Sequence, residues 1–204
     1  MLQDFFYLMP KDKNNIDEEL LWQSFLAGDN ASLEKIYRVY FDVLYQYGNR
    51  WLNNATLTED VIQDLFVKLI RSRQNLSPTT SIKFYLFRSF RSLALDKLKA
   101  NTKMMITESD EFDFPIHLTP EHQLIEKEEY QLIKKKLSLA LSKLTPRQRE
   151  ALFLRYSEGF SYAEISTMMK LTTKATYKLM ARAIDALKEQ MPGLFAFIFL
   201  MKLV

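Results

Sequence analysis

The sequence predicts an all-α protein built from two small helical domains joined by an acidic connector. Three observations carry this reading. Apolar residues recur at steps of three and four, and no segment shows the strict alternation of a strand. Only four glycines and six prolines punctuate 204 residues, too few for a turn-dense β fold. Helix-start signals recur along the chain, and the clearest are Thr145-Pro146-Arg147-Gln148 and Ser161-Tyr162-Ala163-Glu164, each a capping box.

A tail over 1–16 precedes the first domain, 17–101, which reads as four helices. Residues 17–27 form a short helix ending at Gly28-Asp29. Residues 31–53 place Leu33, Tyr37, Tyr40, Leu44, Tyr47 and Trp51 on one stripe. A third helix is expected to begin at Thr58 as N-cap, with Glu59 and Asp60 in its first turn. It would bury Val61, Ile62, Leu65 and Leu69 and leave Asp60, Gln63, Asp64 and Lys68 outside. Ser72 to Ser81 reads as a loop with Asn75, Ser77 and Pro78, and a fourth helix runs from Ile82 to Lys99.

Residues 102–120 hold Pro115, Pro120 and the cluster Glu108, Asp110, Glu111, Asp113, and read as a connector. The second domain spans 121–190. Helix resumes near Glu121, with Ile125, Leu132, Ile133, Leu137 and Leu141 apolar. The Thr145 box opens a helix burying Ala151, Leu152 and Tyr156 that stops at Gly159. The Ser161 box opens a short helix with Ile165, Met168 and Met169. After a turn at Lys170-Leu171, Thr172 caps a longer helix to Gln190. A hydrophobic tail, 191–204, contains the run LFAFIFLM at 194–201. That tail either folds back on the second domain or serves as a docking segment, a membrane-surface anchor or a proteolysis tag.

Composition excludes several classes. There is no cysteine, hence no disulfide scaffold, thiolate zinc site or Cys nucleophile. His117 and His122 sit in the connector without a third ligand, and the glycines are too scattered for a phosphate cradle. No metal, cofactor, small-molecule substrate or catalytic site of its own is expected. No run approaches the roughly 20 apolar residues of a membrane span, and the N-terminus lacks a basic region before its apolar stretch. A cytoplasmic location is expected.

Charge is unevenly distributed. Residues 1–99 carry 13 Lys/Arg and 12 Asp/Glu, residues 100–130 carry 2 and 8, and residues 131–204 carry 13 and 5. The net charges are therefore +1, −6 and +8, so the basic end is the candidate for nucleic acid, against a merely solvated basic surface. There, the short helix, tight turn and longer helix have helix-turn-helix proportions. Thr176, Leu179, Met180, Ala183, Ile184 and Leu187 would face the core. Thr173, Lys174, Tyr177, Lys178 and Arg182 would face outward, to a major groove or to water.

In the fourth helix, Phe84, Tyr85, Phe87 and Phe90 mix with Lys83, Arg88 and Arg91, and one face reads Tyr85, Arg88, Ser92, Asp96, Lys99. Rings interleaved with cations suit single-stranded nucleic acid; packing of Phe84 and Phe87 on a neighbouring helix is the alternative. The acidic face of the third helix is either solvated or a partner surface.

These segments together resemble the extracytoplasmic function (ECF) group of sigma factors, small two-domain members of the sigma-70 family. The resemblance rests on LLWQSFLAGDNASLEKIYRVYFDVLYQYG, TEDVIQDLFVKLI and FYLFRSFRSLALDKLK over 17–101, and on LTPRQREALFLRYSEGFSYAEI and LTTKATYKLMARAIDALK over 121–190. It implies sigma region 2 followed by sigma region 4. It implies core RNA polymerase as partner, with Asp60, Gln63 and Asp64 on the β′ clamp helices and a further contact at the β flap. It implies recognition and melting of the minus-10 element by Lys83, Phe84, Tyr85, Arg88, Arg91, Ser92, Asp96 and Lys99 with the preceding loop. Thr172, Thr173, Lys174, Tyr177, Lys178 and Arg182 would read the minus-35 element of promoter DNA. The connector would thread towards the polymerase active-site cleft. An anti-sigma factor is a further candidate partner. Departures from the family pattern include Tyr85 for Trp, Ser92 for Asn, Lys99 for Arg, Ser166 for Ala, Thr176 for Val or Ile, and Lys170 for the turn Gly. Lys170 would need a turn free of positive φ, or would carry strain. A stand-alone helix-turn-helix regulator, and an interaction adaptor with a solubilising basic face, are the alternatives.

Overall fold

The computed structural model describes residues 17–101, 114–115 and 128–191. The tail 1–16, most of the connector with its acidic cluster and both histidines, the helix start expected near Glu121, and the run 194–201 lie outside the described residues. Every regular element among the described residues is helical, and they fall into two compact units.

The first unit contains α1 (Glu18–Leu26), α2 (Asn30–Leu52), α3 (Ala55–Ser72), a 3₁₀ turn (Arg73–Asn75) and α4 (Ile82–Asn101). Local chemistry sets the boundaries. The Asp17 side chain accepts from Leu20 N–H and caps α1. Gly28 takes φ +106°, and Asp29 then caps α2 by accepting from Ala31 N–H and Ser32 N–H. The expected cap at Thr58 is corrected: α3 begins at Ala55, capped by Asn54, which accepts from Leu57 N–H at 3.0 Å. The cause is the two-residue joint. Asn53 ends α2 in the left-handed region (φ 48°), a conformation asparagine tolerates, and Asn54 is free to cap. Thr58 is fully buried inside α3, with its hydroxyl donated to Asn54 O at 2.8 Å.

Ile36, Leu44, Tyr47, Trp51, Val61, Ile62, Leu65, Leu69, Leu86, Phe87 and Phe90 are buried between the helices. Of the expected α2 stripe, Leu33 is half-buried, and Tyr37 stays exposed with its ring edge-on to Phe66 at 4.9 Å. Gly48 is buried where helices meet. A Cβ there would lie 2.4 Å from Phe90 Cζ and 2.6 Å from Thr58 Cγ2, so the close approach requires glycine.

The second unit contains α5 (Glu128–Ser142), α6 (Pro146–Leu152), a π turn (Phe153–Ser157), α7 (Tyr162–Met168) and α8 (Thr173–Gln190). Both expected capping boxes form in full, Thr145 with Gln148 and Ser161 with Glu164. Tyr156 is half-buried rather than buried: it lies in the π turn that follows α6, where Phe153, Leu154 and Ser157 take the core side, and Gly159 (φ +78°) then reverses the chain.

The joint between α7 and α8 resolves the question at Lys170. It adopts φ +51°, the left-handed conformation that the family's glycine would supply. Leu171 N–H bonds Ser166 O at 2.8 Å and Lys170 N–H bonds Thr167 O at 3.4 Å, the two bonds of a Schellman cap. Leu137, Leu141, Leu144, Ala151, Leu152, Ile165, Met168, Met180, Ala183 and Leu187 form the core, and Lys143 Nζ donates to Gln190 Oε1 to tie α5's end to α8's. Phe114, expected within the connector, is also buried. Its ring lies 5.5 Å from that of Phe153, and its carbonyl accepts from Arg149 Nε at 2.8 Å.

Candidate nucleic-acid interface

In the second unit the site is built on α8. Thr172 is its N-cap, its hydroxyl accepting from Ala175 N–H at 3.1 Å. The buried row is Thr176, Met180, Ala183 and Leu187, with Leu179 and Ile184 at its margin. Thr172, Thr173, Lys174, Tyr177, Lys178 and Arg182 are all exposed, and among the described residues no ion pair engages Lys174, Lys178 or Arg182. Two residues that the sequence reading left out join this face. The Tyr162 ring stacks on Tyr177 with centroids 4.3 Å apart and planes inclined by 22°. The Arg155 guanidinium lies 5.1 Å from the Tyr162 ring and donates to Phe160 O at 3.0 Å. Burial pushes the nearby Tyr156 phenol above its usual range, and the neighbouring Tyr162 adds to this.

In the first unit, Arg88, Ser92, Asp96 and Lys99 are exposed along α4 with half-buried Tyr85 at their N-terminal end. Phe84 and Lys83 are also half-buried, and Lys83 Nζ lies 5.8 Å from the Phe87 ring. Arg91, one of the minus-10 residues the resemblance implies, lies off this face, as the helical period reads. It stands four residues after Phe87 and three before Ala94, on their core-facing stripe, is only 5% exposed, and sets its guanidinium 5.3 Å from the Trp51 ring. A cation–π contact explains how a guanidinium is accommodated there.

The loop before α4 is held from α1. Trp22 Nε1 donates to Ser77 O at 3.0 Å, and the Trp22 ring packs 5.1 Å from Tyr85. The first turn of α4 would leave four N–H groups unpaired. Glu18 Oε2 accepts from Ile82 N–H at 2.5 Å and Lys83 N–H at 3.4 Å, Ser81 Oγ accepts from Phe84 N–H, and Thr79 Oγ1 accepts from Ser81 N–H at 3.2 Å. Tyr40 donates its hydroxyl to Glu18 Oε1 at 2.7 Å. Sequence reasoning missed Glu18 and Trp22, whose partners lie 64 and 55 residues away. The Tyr162–Tyr177 pair was within reach, because two aromatics on consecutive helices of a helix-turn-helix are neighbours.

Asp60, Gln63 and Asp64 are exposed on α3. Asp64 is not simply solvated: its Oδ2 pairs with Lys97 Nζ of α4 at 2.8 Å. Exposed Val67 and Ile70 follow on the same helix and give this end an apolar character the sequence reading did not register. Among the described residues no cluster of His, Asp or Glu could hold a metal, and no helix is long and apolar enough to cross a membrane.

The two units, four helices followed by a helix-turn-helix, both match descriptions of transcription-initiation domains. Residues 36–104 match the family description "Sigma-70 region 2", and residues 134–187 match "Sigma-70, region 4". The chain belongs to the sigma-70 family and is an RNA polymerase sigma factor of the ECF group. It is 21% identical to the ECF sigma factor SigX of Bacillus subtilis over 78% of this chain and 84% of that one. It is 25% identical to SigM of the same organism over 77% and 93%. In fold it resembles CnrH, solved in complex with the cytosolic domain of CnrY, with a TM-score of 0.56 at 18% identity, covering 87% of this chain and 98% of that one. It also resembles the sigma factor RpoE of Bartonella quintana, solved in complex with the anti-sigma factor NepR, with a TM-score of 0.55 at 18% identity, covering 78% and 96%. Core polymerase and promoter DNA are accordingly its partners. The match of the first unit to region 2 disfavours a stand-alone regulator.

Proposed function

We propose a division of labour among the residues described above. Asp60, Gln63 and Asp64 on α3 grip the clamp helices of the polymerase β′ subunit, and the second unit meets the β flap. Tyr85, Arg88, Ser92, Asp96 and Lys99, with Lys83, Phe84 and the loop before α4, recognise and open the minus-10 element. Exposed cations there follow phosphate while the half-buried rings offer a stacking edge to an unpaired base. Thr172, Thr173, Lys174, Tyr177, Lys178 and Arg182 read the minus-35 element from the major groove. The connector 102–120 runs towards the polymerase active-site cleft, and bond-making belongs to the polymerase. The protein works in the cytoplasm, and an anti-sigma factor is a further partner, as for the Bartonella relative.

The observation that carries this reading is the exposed α4 row beside a loop tied down by Trp22. Rows of mixed cations and polar groups next to a ring suit melted DNA better than duplex.

The test is co-elution of the full chain with bacterial core RNA polymerase on a sizing column. Stable co-elution is expected, with a loss of at least tenfold on Asp60→Lys with Asp64→Lys. Because Asp64 faces Lys97, the reversal is repeated with Lys97→Asp to restore that pair. Co-elution unchanged by either variant refutes the assigned grip.

A further inference from the structure

We propose that Tyr177 reads a thymine in the major groove through the base's 5-methyl group, and that Tyr162 and Arg155 hold the ring in position. The proposal rests on the reading of α8 as the duplex-reading helix.

The recognition face of α8 is otherwise cationic or hydroxylic: Thr173, Lys174, Lys178 and Arg182 surround one large ring. Tyr177 is 55% exposed. Such exposure of an aromatic costs solvation unless a partner covers it. Its ring is fixed, stacked on Tyr162 at 4.3 Å and 22°. Tyr162 is itself flanked by the Arg155 guanidinium, which is anchored on Phe160 O. A ring held this way presents a rigid apolar edge between cations that are placed for phosphates. Among the groups that distinguish base edges in the major groove, the thymine methyl is the one bulky apolar group. The lysines and Arg182 can carry the sequence-independent affinity, leaving the ring pair to discriminate.

Arg155 and Tyr162 reach the site from the π turn and from the first residue of α7. The widened turn therefore has a role here. It brings Arg155 beside Tyr162.

The experiment uses the full chain bound to core polymerase. A random duplex library is selected for binding, and each thymine of the enriched minus-35 segment is then replaced by uracil, which removes only the methyl. One position is expected to lose about fourfold in affinity, the worth of burying one methyl-sized group. Tyr177→Ala should abolish that thymine-over-uracil ratio. Tyr162→Ala should cut it below about twofold, and Tyr162→Phe, which keeps the ring, should restore it. A melting curve for each variant shows that the second unit remains folded. If no position distinguishes uracil, or if Tyr177→Ala weakens both duplexes equally at an unchanged ratio, the ring touches the backbone and the proposal is overturned. If the complex with polymerase enriches no sequence at all, the duplex-reading assignment of α8 fails, and the proposal fails with it.

Discussion

Glu18 holds the first unit together at a point where three elements meet, and its replacement by alanine gives a worked prediction. Its carboxylate accepts from Ile82 N–H and Lys83 N–H at the head of α4 and from the Tyr40 hydroxyl of α2. Ile82 and Tyr40 are buried, so alanine leaves both an amide and a phenol without a partner. Loss of a helix cap costs about 1 kcal/mol, and loss of a hydrogen bond to a charged group costs about 1.5–3 kcal/mol. Together they put Glu18→Ala near 3 kcal/mol, or a fall of roughly 12–24 °C in the melting temperature of a domain this size. Burial pushes the Tyr40 phenol well above its usual range, and the bonded carboxylate pushes it further, so the donor stays protonated throughout the neutral range. The assay is tryptophan fluorescence in a denaturant titration of the full chain. Both tryptophans, Trp22 and Trp51, lie in the first unit, so the signal reports that unit alone. Tyr40→Phe completes a double-mutant cycle with an expected coupling of about 1 kcal/mol or more. A Glu18→Ala cost below about 0.5 kcal/mol, or strict additivity with Tyr40→Phe, would refute the bridging role.

Three further outcomes are expected. Gly48→Ala should destabilise the first unit by about 1–3 kcal/mol despite alanine's better helix propensity, because Phe90 and Thr58 occupy the space of the new methyl; unchanged fluorescence unfolding would contradict that packing. Lys170→Gly should raise the melting temperature of the second unit in calorimetry by an amount equivalent to about 0.5–1 kcal/mol, since glycine adopts positive φ without the Cβ clash. The Asp29 carboxyl is held below its ordinary 3.8, first by the Ser32 hydroxyl and then by the Ala31 N–H. Its stabilising effect is therefore present above pH 3.8 and lost as the pH falls below it; Asp29→Ala should flatten that acid limb of the fluorescence-detected stability curve.

What the sequence revealed was local. The boxes at Thr145 and Ser161 are chemistry within four consecutive residues, and both formed as read. The exposed face of α8 followed from a period of 3.6. Errors arose where two local signals competed or where distance mattered. Asn54 and Thr58 are both good caps, and the acidic pair after Thr58 favoured the wrong one; burial of Thr58 against the Gly48 crossing decides between them, and a crossing is a tertiary fact. The period left Arg91 off the exposed α4 face, but its burial beside the Trp51 ring is a tertiary fact that the sequence does not carry. Of the four clustered rings, Phe87 and Phe90 are fully buried while Phe84 and Tyr85 stay at the margin. The alternative that packs Phe84 and Phe87 on a neighbouring helix holds for Phe87 and not fully for Phe84, and Phe90 joins the core in its place. The Glu18 and Trp22 bridges span more than fifty residues and leave no periodic trace.

The seat of Phe114 changes how this protein should be dissected. Composition invites a cut at residue 121, after the last proline of the acidic stretch. Such a fragment would lack the ring that packs against Phe153 and the carbonyl that receives Arg149. It would strip the Phe114 cover from Phe153 at the start of the π turn, and apolar surface exposed in this way favours self-association. A fragment starting a few residues before Phe114 keeps that cover, and is the piece to express for spectroscopy or crystallisation.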